Sequence, residues 1–269
     1  MLELTSPPPL RERLRGYGLE LLAFTCKNAA SCVFPVAIFV LLGISRAIDL
    51  PIARYDFLLL GCVSVQVLML WTGLETRDEL KVIGVFHLLG LTMELFKTHM
   101  GSWSYPEDAF TKLGTVPLYS GFMYASVASF MCQAWRRFDL RLGRWPAGYL
   151  VVPLGAAIYL NFFTHHFTVD LRWSLVVLTF ILFARTTVRF TTYRRGRTLP
   201  LTLAFVLIGL FVWLAENIST FLGAWTYPHQ AGGWQLVEPT KIVAWGLLVI
   251  VSFLVVAQLK HVKTGLGSE

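Results

Sequence analysis

The sequence predicts an all-α protein: a polytopic membrane helix bundle of about eight transmembrane helices, arranged as two parallel four-helix repeats. Three observations predict it. Of 269 residues, 55% are hydrophobic and only 14% charged, with a mean hydropathy of +0.61, more apolar surface than a water-soluble chain of this size can hide. Several apolar stretches approach the length needed to cross about 30 Å of hydrocarbon. A pattern of Glu, Thr, Gly, Trp, Tyr and Pro occurs twice, at a constant offset along the chain.

Residues 1–28 read as a cytoplasmic or interfacial N-terminal segment. Prolines 7–9 and a charged run precede the first apolar stretch, with no small-residue cleavage site, so a removed signal peptide is not expected. Leu10, Leu14, Leu19, Leu21 and Leu22 alternate loosely with Arg11, Arg13 and Arg15, which suits a helix on the membrane surface over 9–25. The apolar stretches follow at 29–47, 55–74, 81–100, 115–135, 147–164, 171–190, 199–221 and 239–259. The first repeat is placed at 29–140 and the second at 141–263, with 264–269 expected as a disordered tail.

Charge sets the orientation. The net charge of +7 is unevenly placed: Arg11, Arg13, Arg15, Arg77, Lys81, the arginines of 136–144 and 185–197, Lys260 and Lys263 fall on one side of the eight-helix scheme. Arg46, Arg54, Lys97, Lys112, Arg172 and Lys241 fall on the other. The positive-inside bias then makes this a multi-pass protein of the cell (inner) membrane with both termini cytoplasmic. The arginine clusters read as topology anchors and as contacts for anionic lipid heads. Cys26, Cys32, Cys62 and Cys132 form no CxxC and read as small apolar side chains.

The duplicated pattern is E-x3-T-x2-G-[SA]-W-[ST]-Y-P. Glu94 aligns with Glu216, Thr98 with Thr220, Gly101 with Gly223, Trp103 with Trp225, Tyr105 with Tyr227 and Pro106 with Pro228, without a gap. Pro117 and Pro239 open the next apolar helices at the same offset. A unit of four helices crosses an even number of times, so the halves are parallel repeats about an axis along the membrane normal. Glu94, Thr98 and Gly101 lie on one helix face, as do Glu216, Thr220 and Gly223. His87 extends the first stripe inward, where the second has Gly209.

An ionisable residue in hydrocarbon costs at least about 2.5 to 3.5 kcal/mol on insertion scales, so Glu94 and Glu216 are the candidate catalytic acids. His87, Thr98, Trp103, Tyr105, Thr220, Trp225 and Tyr227 are candidate substrate-binding residues, and Gly101, Pro106, Gly223 and Pro228 the turn that folds the rings back over each carboxylate. The competing reading is that each Glu braces its own turn. The aromatic belt at the water interface is a further alternative for the rings. His165 and His166, with His87, His99, His229 or the two Glu, could form a metal site, but no HExxH spacing exists and no metal is expected. Asn161 and Asn217 could donate to a carboxylate or fill helix contacts. No GxxxxGK[ST], GxGxxG or GxSxG is present, so no cofactor is implied. No nucleic-acid module is present.

Through Glu94–Pro106 and Glu216–Pro228 the chain resembles the bacterial integral-membrane proteins of domain-of-unknown-function family 817, over about residues 10–263. The motif segments alone also resemble the membrane carotenoid hydratases and small lycopene cyclases. That second likeness implies a polyene entering from the bilayer, with Glu94 or Glu216 protonating a double bond and aromatic rings steadying the carbocation.

Three roles follow. One is acid-catalysed modification of a lipid or isoprenoid, with the two carboxylates sharing one cleft. Another is proton- or ion-coupled transport of a small solute, against which the inner half of the bundle offers few polar residues. The third is a non-catalytic membrane binding protein. The expected partners are membrane lipids and a hydrophobic small molecule; oligomeric state is left open.

Overall fold

The computed structural model describes residues 10–266. The chain begins with α1 (Leu10–Ser31), then α2 (Val33–Ala47), which meet at a 62° bend around Cys32. The bend turns the amphipathic entry segment away from the first apolar stretch. Pro35 falls in the first turn of α2, where its missing N–H breaks no helical bond. Next come α3 (Arg54–Trp71), α4 (Arg77–His99), α5 (Ser120–Arg137), α6 (Gly148–Thr164), α7 (Arg172–Phe183), α8 (Leu201–Phe221) and α9 (Lys241–Leu266). Helix α4 starts at a capping box: Thr76 Oγ1 accepts from the Glu79 N–H at 3.2 Å, and Glu79 Oε2 from the Thr76 N–H at 2.9 Å. The expected tail at 264–269 falls partly on α9, and 267–269 lie outside the described residues.

Each of the eight apolar stretches is helical, as α2 to α9 in order. Fewer meet the length and hydropathy of a span. Among the described residues, α3 and α8 do so alone and the bent pair α1 and α2 does so together. Helix α7 corrects the expected span at 171–190 most plainly. Its 12 residues extend about 18 Å at 1.5 Å per residue, and the chain then leaves the helix.

Strands replace the missing turns. Residues Arg141–Gly143 (β3), Thr187–Thr191 (β4) and Gly196–Pro200 (β5) form an antiparallel sheet ordered β3-β4-β5, with Arg189 opposite both Arg141 and Thr198. The run Thr186-Thr-Val-Arg-Phe-Thr-Thr192 is rich in β-branched residues, which lose side-chain freedom in a helix and suit a pleat. A short hairpin of Lys112–Leu113 (β1) and Val116–Pro117 (β2) precedes α5. Glu20 of α1 latches the β4–β5 turn, accepting from the Thr192 hydroxyl and from the backbone N–H of Tyr193 and Arg194 at 3.2 and 3.1 Å.

Two apolar clusters make the core. One joins α4 and α5 to α6 through α9, with Phe86, Ile158, Phe183, Phe205 and Leu254 buried in it. The other gathers α2 and α3 around Trp103, Tyr105, Ala224, Trp225 and Tyr227, the two motif turns. Buried polar groups gather near the α3–α4 connection, away from the motif turns. Buried Glu75 accepts from Gln66 and Ser129, and Glu79 pairs with Arg136 at 3.4 Å. These groups come from separate helices and a loop, so no local stretch of sequence shows them together.

Candidate functional site

Both motif helices end the same way. Gly101 and Gly223 sit at φ +70° and +72°, the left-handed region that glycine enters without a Cβ penalty. Gly101 N–H donates to Thr98 O at 3.1 Å and Ser102 N–H to Lys97 O at 2.9 Å; Gly223 and Ala224 repeat this onto Thr220 and Ser219, both at 2.9 Å. The chain reverses, and the rings nine and eleven residues beyond each Glu come back along the helix.

In the first copy the reversal completes a three-donor shell. Trp103 Nε1 and Tyr105 OH donate to Glu94 Oε2 at 2.7 and 2.8 Å, and Tyr124 OH of α5 donates to Oε1 at 2.7 Å. In the second copy Tyr227 OH donates to Glu216 Oε1, and the indole N–H of Trp245 on α9 to Oε2. Trp225 is buried but makes no bond to Glu216, so the two halves close their shells with different indoles. Both acids are 3% exposed.

The two turns meet. Ser104 and Thr226, equivalent positions of the pattern, form an antiparallel bridge with N–H···O distances of 2.9 and 3.0 Å. Across it the Trp103 and Tyr227 rings lie edge to face at 6.0 Å, and further in the Tyr124 and Trp245 rings lie 6.4 Å apart. Arg54 of α3 locks the second turn, donating to the carbonyls of Leu222 and Gly223 at 2.6 and 2.8 Å while pairing with Glu107 at 2.8 Å. Pro228 opens a single 3-10 turn, Pro228–Gln230, that closes back on Tyr227, while Pro106 leads directly into Glu107.

Other expected residues have separate tasks. Thr98 and Thr220 donate to the carbonyls of Glu94 and Glu216, at 2.8 and 3.0 Å, bonding back into their own helices. His87 lies in the α4–α5 seam against Phe122, its ring over Gly121 and its Nδ1 buried without a partner. Asn161 joins Asp170 and the Leu171 N–H, and Asn217 accepts from the Val237 N–H. Among the described residues no group of three or more His, Cys, Asp or Glu could hold a metal.

Beside the node lies a cavity of about 260 Å³ between α4, α6, α7 and α9. Trp103, Tyr227 and Trp245 line it together, and Lys97, Arg172 and Lys241 also line it, at the helix ends nearest the motif turns. Neither Glu lines it. Tyr124, Trp245, Arg172 and Lys241 lie outside the duplicated pattern, which therefore does not mark them. Tyr124 and Trp245 follow their acids by 30 and 29 residues. A gapless alignment sets them opposite Gly246 and Met123, so allowing a one-residue slip between copies would have exposed the pair.

The chain matches the family described as "Protein of unknown function (DUF817)" over residues 20–253, and it belongs to that family. It is similar to the uncharacterized protein YoaT of Bacillus subtilis (strain 168), with 57% identity over 245 residues, covering 91% of this chain and 93% of that one. No solved structure matches.

Proposed function

We propose that this chain is a multi-pass protein of the cell membrane, with both termini cytoplasmic, that binds a hydrophobic or amphiphilic small molecule near the outer ends of its helices. The observation that carries this reading is the cavity lined by Trp103, Tyr227 and Trp245, the same rings that hydrogen-bond the two buried carboxylates. Rings held at both ends are preorganised contact area, which lowers the ordering cost of binding.

The eight helices are read as two four-helix halves about an axis along the membrane normal. Pairing of Ser104 with its own equivalent Thr226 supports that reading, since a two-fold axis brings like positions together. Arg141, Arg189 and Arg197 gather in the three-stranded sheet, at the opposite helix ends from the motif turns, as a cytoplasmic rim requires. On this reading Glu94 and Glu216 are braces. A general acid must reach its substrate, and these acids are sealed behind the rings that face the cavity.

The experiment is native mass spectrometry of the purified protein with identification of extracted lipid, for the wild type and Ala244→Trp. Ala244 lines the cavity, so the indole should displace a stoichiometric ligand from a folded protein. An identical complement of bound molecules in both proteins would sink the proposal. Conversion of that ligand by wild type but not by Glu94→Gln would instead restore acid catalysis.

A further inference from the structure

Resting on the cavity as a ligand site, we infer that its occupant carries an anionic head, a phosphate or carboxylate, received by Lys97, Lys241 and Arg172, with its apolar part against Met93, Phe162, Leu247 and Leu248 of the same cavity.

The cations are unbalanced. Lys97 is only 6% exposed and Lys241 half-buried, yet neither forms an ion pair among the described residues. Arg172 has one acid, Asp170, at 3.1 Å; Glu216 and Glu238 act on the Lys241 charge and Asp170 on that of Lys97, but none of them reaches ion-pair distance of an ammonium. The three basic groups lie close enough for Lys241 and Arg172 both to act on the Lys97 charge. A buried ammonium with no carboxylate in contact is costly, and two such groups beside an arginine in one cavity more so. An anion removes that cost.

The histidines hold the ammonium without neutralising it. His165 Nδ1 lies 2.7 Å from the Asn161 carbonyl oxygen, which only a protonated Nδ1 can bond, so its Nε2 is bare and accepts from Lys97 at 3.3 Å. His166 Nε2 accepts from Lys97 at 2.9 Å. Its pKa is pulled down to about 4 by burial and by the Lys97 charge, so the ring is neutral near pH 7. Lys241 is steadied over the Tyr227 ring, 5.0 Å from its centroid. Arg172 and Lys241 are also the first residues of α7 and α9, so two helix N-termini add positive potential beside the same cavity.

Depth orders the chemistry. Met93 lies one turn inward of Lys97, and Leu248 two turns inward of Lys241. A separate crevice of about 20 Å³, room for little more than one water-sized sphere, shares both residues and is lined further by Phe86, Leu89, Gly90 and Tyr159. Cations and the apolar side chains of Met93, Phe162, Leu247 and Leu248 in one cavity describe a site for an amphiphilic anion.

The test uses the full chain in phosphatidylcholine nanodiscs, titrated with dodecyl phosphate, dodecanol and inorganic phosphate, and read by tryptophan fluorescence and by Tm. Dodecyl phosphate should bind at least about tenfold more tightly than dodecanol. Lys97→Gln and Lys241→Gln should each lose about tenfold toward the phosphate, leave dodecanol unchanged and keep or raise the ligand-free Tm. Lys241→Arg should keep binding. Inorganic phosphate binding as tightly as dodecyl phosphate would support the anion site with a free anion as its source; weaker binding would support a lipid head. Equal affinity for dodecyl phosphate and dodecanol, with both lysine variants silent, would overturn this inference while leaving the ligand cavity intact. Failure of all three probes, with Ala244→Trp also without effect on co-purified lipid, would overturn both.

Discussion

Replacing Glu94 by alanine strands three buried donors at once, the Trp103 indole and the hydroxyls of Tyr105 and Tyr124. A buried donor left without an acceptor costs roughly 1 to 3 kcal/mol, so the three together cost roughly 3 to 9 kcal/mol. Glu94→Gln is milder. Its amide oxygen can take the Oε2 place and keep Trp103 and Tyr105, while its NH2 meets the Tyr124 oxygen, leaving one O–H stranded at roughly 1 to 3 kcal/mol. Tyr124→Phe removes that hydroxyl, so Glu94→Gln combined with Tyr124→Phe should lose less than the sum of the single losses. Thermal unfolding in neutral detergent, followed by tryptophan fluorescence, should order the proteins as wild type, then Gln, then Ala. Equal losses for Gln and Ala, or strict additivity of the pair, would refute a bracing role that works through these three bonds.

Other outcomes follow from the same geometry. Gly101→Ala meets open space and should cost roughly 1 kcal/mol from its positive φ alone; Gly223→Ala adds a Cβ 3.2 Å from Arg54 Nη1 and should melt lower than Gly101→Ala. His166, in the α6–α7 loop, has its pKa lowered from 6.5 to about 4. The unfolded chain therefore takes up its proton first, so stability present above about pH 6.5 falls as pH drops toward 4. A Tm series should show that slope in wild type and a smaller one in His166→Asn. Glu20→Ala unlatches the β4–β5 turn, and trypsin should then cut after Arg194 or Arg195 several-fold faster; unchanged cleavage rates would show that the latch is not what holds the turn.

Local chemistry was legible in the sequence. The apolar stretches mark α2 to α9 because a helix needs only a run of compatible residues, and Gly101 and Gly223 mark their turns because few other residues tolerate that backbone. The spacing from Glu to Trp and Tyr was also informative, since one reversal returns both rings to Glu94 and the tyrosine to Glu216. The β3-β4-β5 sheet was not legible. Its strands lie over 40 residues apart at Arg141 and Arg189, and Thr187–Thr191 is apolar enough to pass for the end of a helix. The span lengths failed for a related reason: hydropathy averages over a segment and cannot show where the backbone stops being helical.

The cavity escaped the repeat because it forms where the halves differ. At the offset of 122 that separates Glu216 from Glu94, Lys97 corresponds to Ser219, Lys241 to Tyr119, Trp245 to Met123 and Arg172 to Leu50. In the other half Tyr119 is fully buried, stacked on Tyr55 and donating to the Ala224 carbonyl at 2.5 Å. A tyrosine therefore occupies the position whose counterpart bears an ammonium in the lining of the cavity. On the proposed reading the duplicated acids and turns brace both copies of the pattern and build the scaffold. On that reading binding needs only one opening, so Lys97, Lys241, Arg172 and Trp245, which the repeat does not share, complete the chemistry that Trp103 and Tyr227, which it does share, begin.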